Sequence, residues 1–347
     1  MSDTFKNIMK ASLLASAAFT APLAVAPVVS AQAEDNVDEI VVTASRRPQP
    51  LSEIGASISV IGAEALAEAQ FTFVADALQT LPSVSVNSNG AFGGQTAISI
   101  RGAATAQTVI LIDGVQLNDV SSPGGGFNFG TLDTSGIERI EVLKGPQAVL
   151  YGSDAIGGVV NIITKTGGEG FGGGVYGEYG AFDSFRGGAN VFGGSDAIGF
   201  NLSGSYSKTD GISKAEGGTE KDGHENHTLR GRVTASVTDS FKLEAFGSYS
   251  DSETDVDGFG PTDDTGENVS LSEEYLVGAR AHLDLMDGRF SNTLSVEYSG
   301  IDRASVSAFG TFAGKGNRLN FDYLGNFEVS ENWFVTGGAQ HERVEAE

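Results

Sequence analysis

The sequence predicts an α+β domain followed by the N-terminal part of an antiparallel transmembrane β-barrel. Three observations predict it. The chain starts like an exported protein. Up to about residue 165 it mixes short helical segments with continuous apolar runs. From Phe171 the hydrophobic period becomes two, with apolar residues alternating with polar or charged ones.

Residues 1–33 read as a secretory signal. Lys6 and Lys10 supply positive charge, Ala11 to Val29 is apolar, and Ala31-Gln32-Ala33 is a cleavage signature. The other reading, an N-terminal membrane anchor, is opposed by Pro22 and Pro27 within the run. Residues 34–49 hold a short β-prone stretch, Asp38 to Ser45, then Arg46, Arg47 and two prolines. Such a stretch either adds as a strand to the sheet edge of a partner or opens the next domain; the pattern alone leaves both open.

Residues 50–168 are the α+β domain. Strands are expected at Ile58–Ile61, Val84–Val86, Ile98–Ile100, Val109–Ile112, Ile140–Val142 and Val159–Ile163. Helices are expected at Ala63–Ala69 and from Val74 to Leu78, the second stopping at Leu81-Pro82 because the residue before proline avoids the helical region. Asp113-Gly114 is a turn signal.

Residues 169–347 are the barrel part. In 229–237, Leu229, Val233, Ala235 and Val237 alternate with Arg230, Arg232, Thr234 and Ser236; in 275–285, Tyr275 to Leu285 alternate with Gly278, Arg280, His282 and Asp284. That is the lipid-out, lumen-in pattern of a membrane barrel. A soluble β-sandwich also alternates, but the outward residues here are regularly aromatic or aliphatic. Short joins near 195, 238–240, 286–288 and 329–331 face long joins at 208–227, 251–272 and 303–316, with 182–184 as the exception. About nine strands can be counted, against an expected 22 or so in plugged barrels, so the sheet is not expected to close.

Composition narrows the function. A formal net charge of −24 excludes nucleic-acid binding by counterion release. The absence of cysteine excludes disulfides, thiolate catalysis and cysteine-ligated zinc. No catalytic constellation emerges. Ser205-Tyr206-Ser207-Lys208 matches S-x-x-K, but on a strand and without companion motifs. Gly124-Gly125-Gly126 lacks the strand–helix context of a phosphate loop.

The motifs together resemble the TonB-dependent outer-membrane receptors. Asp38 to Ser45 is similar to their TonB box. Arg101-Gly102 with Val109 to Asp119 is similar to the central motif of their plug domain, and residues 137–165 to its closing motif. Within the family, Tyr151 to Ile163 is most similar to the vitamin B12 (cobalamin) receptors, though siderophore receptors share much of it.

The resemblance implies a receptor rather than an enzyme, in the outer membrane of a Gram-negative bacterium and expected as a monomer among its lipids. Cobalamin would be a transported substrate and not a cofactor; a ferric siderophore is the alternative, and a passive porin-like barrel is the reading from another class. TonB, with ExbB and ExbD, would engage Asp38, Glu39, Ile40, Val41, Val42, Thr43 and Ala44. Asn118, Asp119, Phe127, Asn128 and Phe129 are the candidates to face substrate, on loop position alone. Arg101, Arg139 and Glu141 are expected to pair with one another or with lumenal Arg230, Arg232 and Arg280.

Calcium is the candidate ion. Glu253, Asp255, Asp257, Gly258 and Asp264 nearly follow calcium-loop spacing, departing at the first and twelfth positions. The loop at 208–227 adds Asp210, Glu216, Glu220, Asp222 and Glu225. The family resemblance implies calcium on such loops; a plain solvated acidic surface is the other reading. His224-Glu225-Asn226-His227 is read as a polar loop run rather than a metal site.

Overall fold

The computed structural model describes residues 41–42, 46, 49–51, 54–90, 92–122, 124–213, 219–257, 268–307, 309–330 and 333–347. The expected signal, Asp38 to Ile40, Thr43 to Ser45, Glu216, Gly258 and Asp264 lie outside them.

β1 (Val41–Val42) and β2 (Gln49–Pro50) form a small antiparallel ladder. Then come β3 (Ser57–Gly62), α1 (Ala63–Glu68) and α2 (Val74–Gln79). α2 is capped at its start, where Asp76 Oδ2 accepts the Phe73 N–H at 3.0 Å, and it ends before Leu81-Pro82 as its sequence requires. β4 (Val84–Ser88) and β5 (Thr96–Ile100) form a hairpin. β6 (Thr108–Ile112), β7 (Val115–Gln116), β8 (Ile137–Lys144), α3 (Ala148–Tyr151) and β9 (Gly158–Thr164) complete the domain.

Its five-stranded sheet has the order β3-β8-β9-β6-β7. β6 and β9 are parallel, and every residue of both is buried. That explains their largely apolar sequences, since a strand covered on both faces does not alternate. The core gathers Val74, Leu78, Ile100, Ile110, Phe129, Ile137, Ile140 and Ile162, each burial contributing about 1.5–3 kcal/mol. Asp113 (φ 51°) and Gly114 (φ 85°) make the tight β6–β7 turn their dipeptide predicts.

Nine antiparallel strands follow: β10 (Gly170–Gly180), β11 (Ser184–Gly194), β12 (Ile198–Thr209), β13 (His224–Thr238), β14 (Phe241–Asp255), β15 (Val269–Leu285), β16 (Phe290–Ser307), β17 (Gly310–Ser330) and β18 (Trp333–Ala346). They pair in sequence order, with β10 and β18 at the two ends of the sheet. Register puts Phe200, Val233, Ala245, Ala279, Val296 and Phe321 at one height on the outer face. Arg230 and Arg232 point to the concave side and are buried there against the first domain.

One expected join is corrected. Residues 303–316 are not a long loop: β16 runs to Ser307 and β17 resumes at Gly310. The polar residues that suggested a loop are the ends of two long strands, whose ladder satisfies the backbone whatever the side-chain pattern.

Candidate functional site

Three sets of contacts place the first domain within the wall. The first holds its N-terminal strap. Arg46, between β1 and β2 at φ 60°, donates to Asp322 Oδ2 of β17 at 3.0 Å, and its guanidinium lies 5.1 Å from the Tyr151 ring centre. Burial pushes the Tyr151 hydroxyl pKa up, partly offset by the Arg46 charge. The backbone of Val41 and Val42 is thus already paired within the chain, with Gln49 and Pro50.

The second set is a lumenal ladder of arginines. Arg230 of β13 donates to Asp133 Oδ1 at 2.5 Å and to the Ser135 carbonyl, while Ser205 donates to the same Asp133 carboxylate. Arg232 pairs with Asp113 and lies 3.3 Å from Glu244. Asp113 also accepts the Thr164 N–H (2.9 Å) and hydroxyl (2.7 Å), which ties the β6–β7 turn to the end of β9. Arg280 reaches the Asp113 carbonyl at 2.6 Å and Glu297 at 3.1 Å. Arg230, Arg232, Asp113, Asp133 and Glu297 are almost fully buried, a state tolerable only because each is paired.

Of the pairings expected for Arg101, Arg139 and Glu141, that of Arg139 with Glu141 is present, whereas the one with these wall arginines is corrected. Arg139 pairs within β8, with Glu141 and Glu138 at 2.8 Å, and the wall arginines take Asp113 and Asp133. Like charges could not have met, and sequence distance hid the aspartates. Ser205 faces Asp133 and Lys208 is exposed, so the S-x-x-K match places no catalytic pair.

The third set lies where the long joins cluster. The five residues expected to face substrate are turned to internal use. Asn118 Oδ1 accepts the Ile110 N–H at 3.0 Å, and its amide donates to the Thr108 and Gly125 carbonyls. Asp119 accepts the Ser121 N–H at 2.8 Å and lies 3.3 Å from Arg303. Asn128 Oδ1 accepts the Thr96 and Gly130 N–H groups. Phe127 and Phe129 pack edge to face 5.0 Å apart and are buried. They build the loop, and Asn118 and Phe127 also line a small cavity with Ser299 and Arg318 of the wall. The exposed aromatic nearby is Phe92, at the β4–β5 tip, 44% exposed. Sequence reasoning missed it because a single phenylalanine among glycines carries no periodic signal.

Of the acidic candidates, Asp222 and Asp257 come together, joined by Glu220, with one carboxylate oxygen of each within 4.8 Å of the others. Asp210 does not join them: it pairs with Lys221 at 2.8 Å, a contact that holds its carboxyl below the usual range. Asp255 Oδ2 accepts the Gly223 N–H at 3.1 Å. Glu253 is exposed, opposite Glu225 in the ladder. The linear calcium-loop spacing fails because β14 stays extended to Asp255, which spreads alternate residues about 7 Å apart. His224 is buried and His227 is exposed, hydrogen-bonded to Glu225 at 3.2 Å, so these histidines do not share a site.

Residues 50–159 match the TonB-dependent Receptor Plug Domain family. Over 346 residues, covering 95% of this chain and 54% of the relative, the sequence is 32% identical to a vitamin B12 transporter BtuB of Vibrio vulnificus. It is 36% identical to BtuB of Photobacterium profundum over 82% of this chain and 46% of that one. The chain is that of a TonB-dependent receptor, similar to the vitamin B12 transporters. It spans about half the length of the curated relatives it matches. Among solved structures, the ferric enterobactin receptor PfeA of Pseudomonas aeruginosa superposes with a TM-score of 0.66 at 20% identity, over 83% of this chain and 49% of that one. The ferric-catecholate import receptor Fiu of E. coli gives 0.70 at 18% identity, over 86% and 50%. These likenesses show the fold: a plug domain followed by barrel strands. The matches are to transport receptors and not to an enzyme family.

Proposed function

We propose that this TonB-dependent receptor takes up cobalamin actively across the outer membrane. The observation that carries the uptake reading is the plug held by exchangeable polar contacts inside a wall that is apolar outside. A passive channel has no use for a folded domain fastened across its lumen. Similarity to vitamin B12 transporters along 95% of the chain supports the substrate. The likeness to siderophore receptors does not weigh against it, because below 25% identity it reports fold alone.

In this reading residues 1–33 direct export and are removed. Substrate meets the plug tip and the loops after β12 and β14. Val41 and Val42 then leave the β1–β2 ladder, and residues 38–44 pair as a strand with TonB, which works with ExbB and ExbD. Backbone pairing of this kind needs an open edge, so the Arg46–Asp322 contact restrains the segment until it is released.

Glu220, Asp222 and Asp257 suit a hard divalent cation such as calcium: all are carboxylates, drawn from two loops, with Asp222 buried. A bound cation would neutralise their repulsion and tie the two loops together.

The test uses the receptor completed from its gene, in outer membranes, with labelled cyanocobalamin, calcium and a chelator. Tight binding that weakens on chelation is expected. Failure of a folded receptor to bind in either condition overturns the cobalamin reading in favour of a ferric siderophore. Deleting residues 38–44 should preserve binding and abolish uptake; retained uptake would restore the passive-channel reading.

A further inference from the structure

We propose that two residues of the barrel wall, His224 and Thr254, position the tip of the plug's β4–β5 hairpin, so that the barrel sets where Phe92 is presented. The uptake reading enters only in what Phe92 meets; how the tip is held stands on geometry.

His224 opens β13 and Thr254 lies opposite it in the register of β14. Both are buried on the concave side, 4% and 2% exposed, and the His224 ring Nδ1 lies 2.9 Å from Thr254 Oγ1. The plug chain approaches this pair at Gly93. Thr254 Oγ1 donates to the Gly93 carbonyl at 3.4 Å. A Cβ on Gly93 would fall 2.0 Å from His224 Nδ1 and 2.5 Å from Thr254 Oγ1. Gly93 also has φ 73°, which disfavours any L side chain. Glycine is therefore required here twice over, for its backbone angle and for the approach to the wall.

Ring packing continues the hold. The His224 ring meets Phe73 edge-on at 6.0 Å, and Phe73 lies 5.9 Å from Phe92. Phe73 is 7% exposed and bridges to Asp133, the residue Arg230 grips. Phe92 thus rests on a chain of contacts that begins and ends on the wall. Its own ring stays 44% exposed, available to an apolar face of a ligand. Exposed aromatic rings immobilised from behind are effective contact residues because little rotamer freedom remains to be lost.

His224 and Thr254 are positioning residues. They also stand next to the loops that carry Asp222 and Asp257, so a change in those loops reaches the tip by direct contact.

The test needs no substrate. The sequence has no cysteine, so a spin label at Asn89→Cys reports the tip in the gene-completed receptor once any cysteine of the remaining chain is replaced. A slow, restricted spectrum is expected. Gly93→Val, His224→Ala and Thr254→Val should each release it into fast motion, whereas Thr254→Ser should keep it restricted. A label at Glu138→Cys, in the plug away from the tip, should not change in any variant. The proposal is overturned if the Asn89 label is already fast in the parent, if the substitutions leave it restricted, or if both labels loosen together, which would mean general unfolding. Phe92→Ala should leave the Asn89 label restricted; a fast spectrum there would mean the ring holds the tip, against the proposal. Because these readouts are independent of ligand, failure of the cobalamin reading leaves the test intact.

Discussion

Asp113 fastens the plug both to the wall and to itself. Its carboxylate takes Arg232 from the wall and two donors from Thr164, and its carbonyl takes Arg280. Replacing it with alanine leaves buried Arg232 to Glu244 and the Thr164 carbonyl and frees the end of β9. Removing one member of a buried pair costs about 3–5 kcal/mol where the remaining charge has no other partner, and less here because Glu244 stays beside Arg232. Asp113→Ala is therefore expected to lower the melting temperature of the detergent-purified, gene-completed receptor. A melting curve matching the parent's would show that the pair contributes nothing. Arg46 acts at the same scale with a different outcome. Arg46→Ala removes one ion pair at the strap while leaving the plug core intact. It should raise protease sensitivity of the segment before residue 50 without changing the melting temperature; unchanged digestion would count against the restraint.

Among elements, the barrel strands were the most legible. Alternation alone placed Arg230, Arg232 and Arg280 inward and Val233 and Val277 outward, and all five are so placed. Substitution should respect that division. Val277→Arg puts a charge on the outer face, 56% exposed in the wall and facing lipid in the bilayer. It is expected to cost about 2–4 kcal/mol toward mid-membrane, read as a lower urea midpoint for refolding into vesicles, while lumenal Thr234→Ser stays near the parent. Equal midpoints would refute the assignment of faces. The plug strands were legible because β6 and β9 are largely apolar. β2, β7 and α3 were not foreseen: they are two to four residues long, too short for any period to show. Asn118 and Asn128 looked like exposed loop residues because polarity does not reveal its partner, and here the partners are backbone groups of neighbouring strands, Ile110 of β6 and Thr96 of β5.

For the molecule as a whole, the sequence conveyed the order of its parts, plug then wall, but not their fastening. Contacts such as Asp133 with Arg230 join residues nearly a hundred positions apart, beyond any local pattern. The carboxylates of Glu220, Asp222 and Asp257 likewise meet only because β13 and β14 are neighbours. If a divalent cation sits there, terbium luminescence should report it in the gene-completed receptor, and the double variant Asp222→Asn, Asp257→Asn should lose the signal with the strands intact. Persistence of the signal would place the ion elsewhere.

The two arginine fastenings differ in what they leave behind. Arg230 spends its hydrogen bonds on the plug alone, on Asp133 and Ser135. Arg232 and Arg280 also form ion pairs with Glu244 and Glu297 of the wall. Were the Asp113 turn to withdraw, those two cations would close up with carboxylates already beside them, and the wall would remain an electrically settled surface. Were Asp133 to withdraw, it would abandon a guanidinium that, among the described residues, has no wall carboxylate in salt-bridge contact and only the more distant charge of Glu274. The lumen is in that sense both hinge and clasp: one side is prepared for departure and return, the other for staying shut.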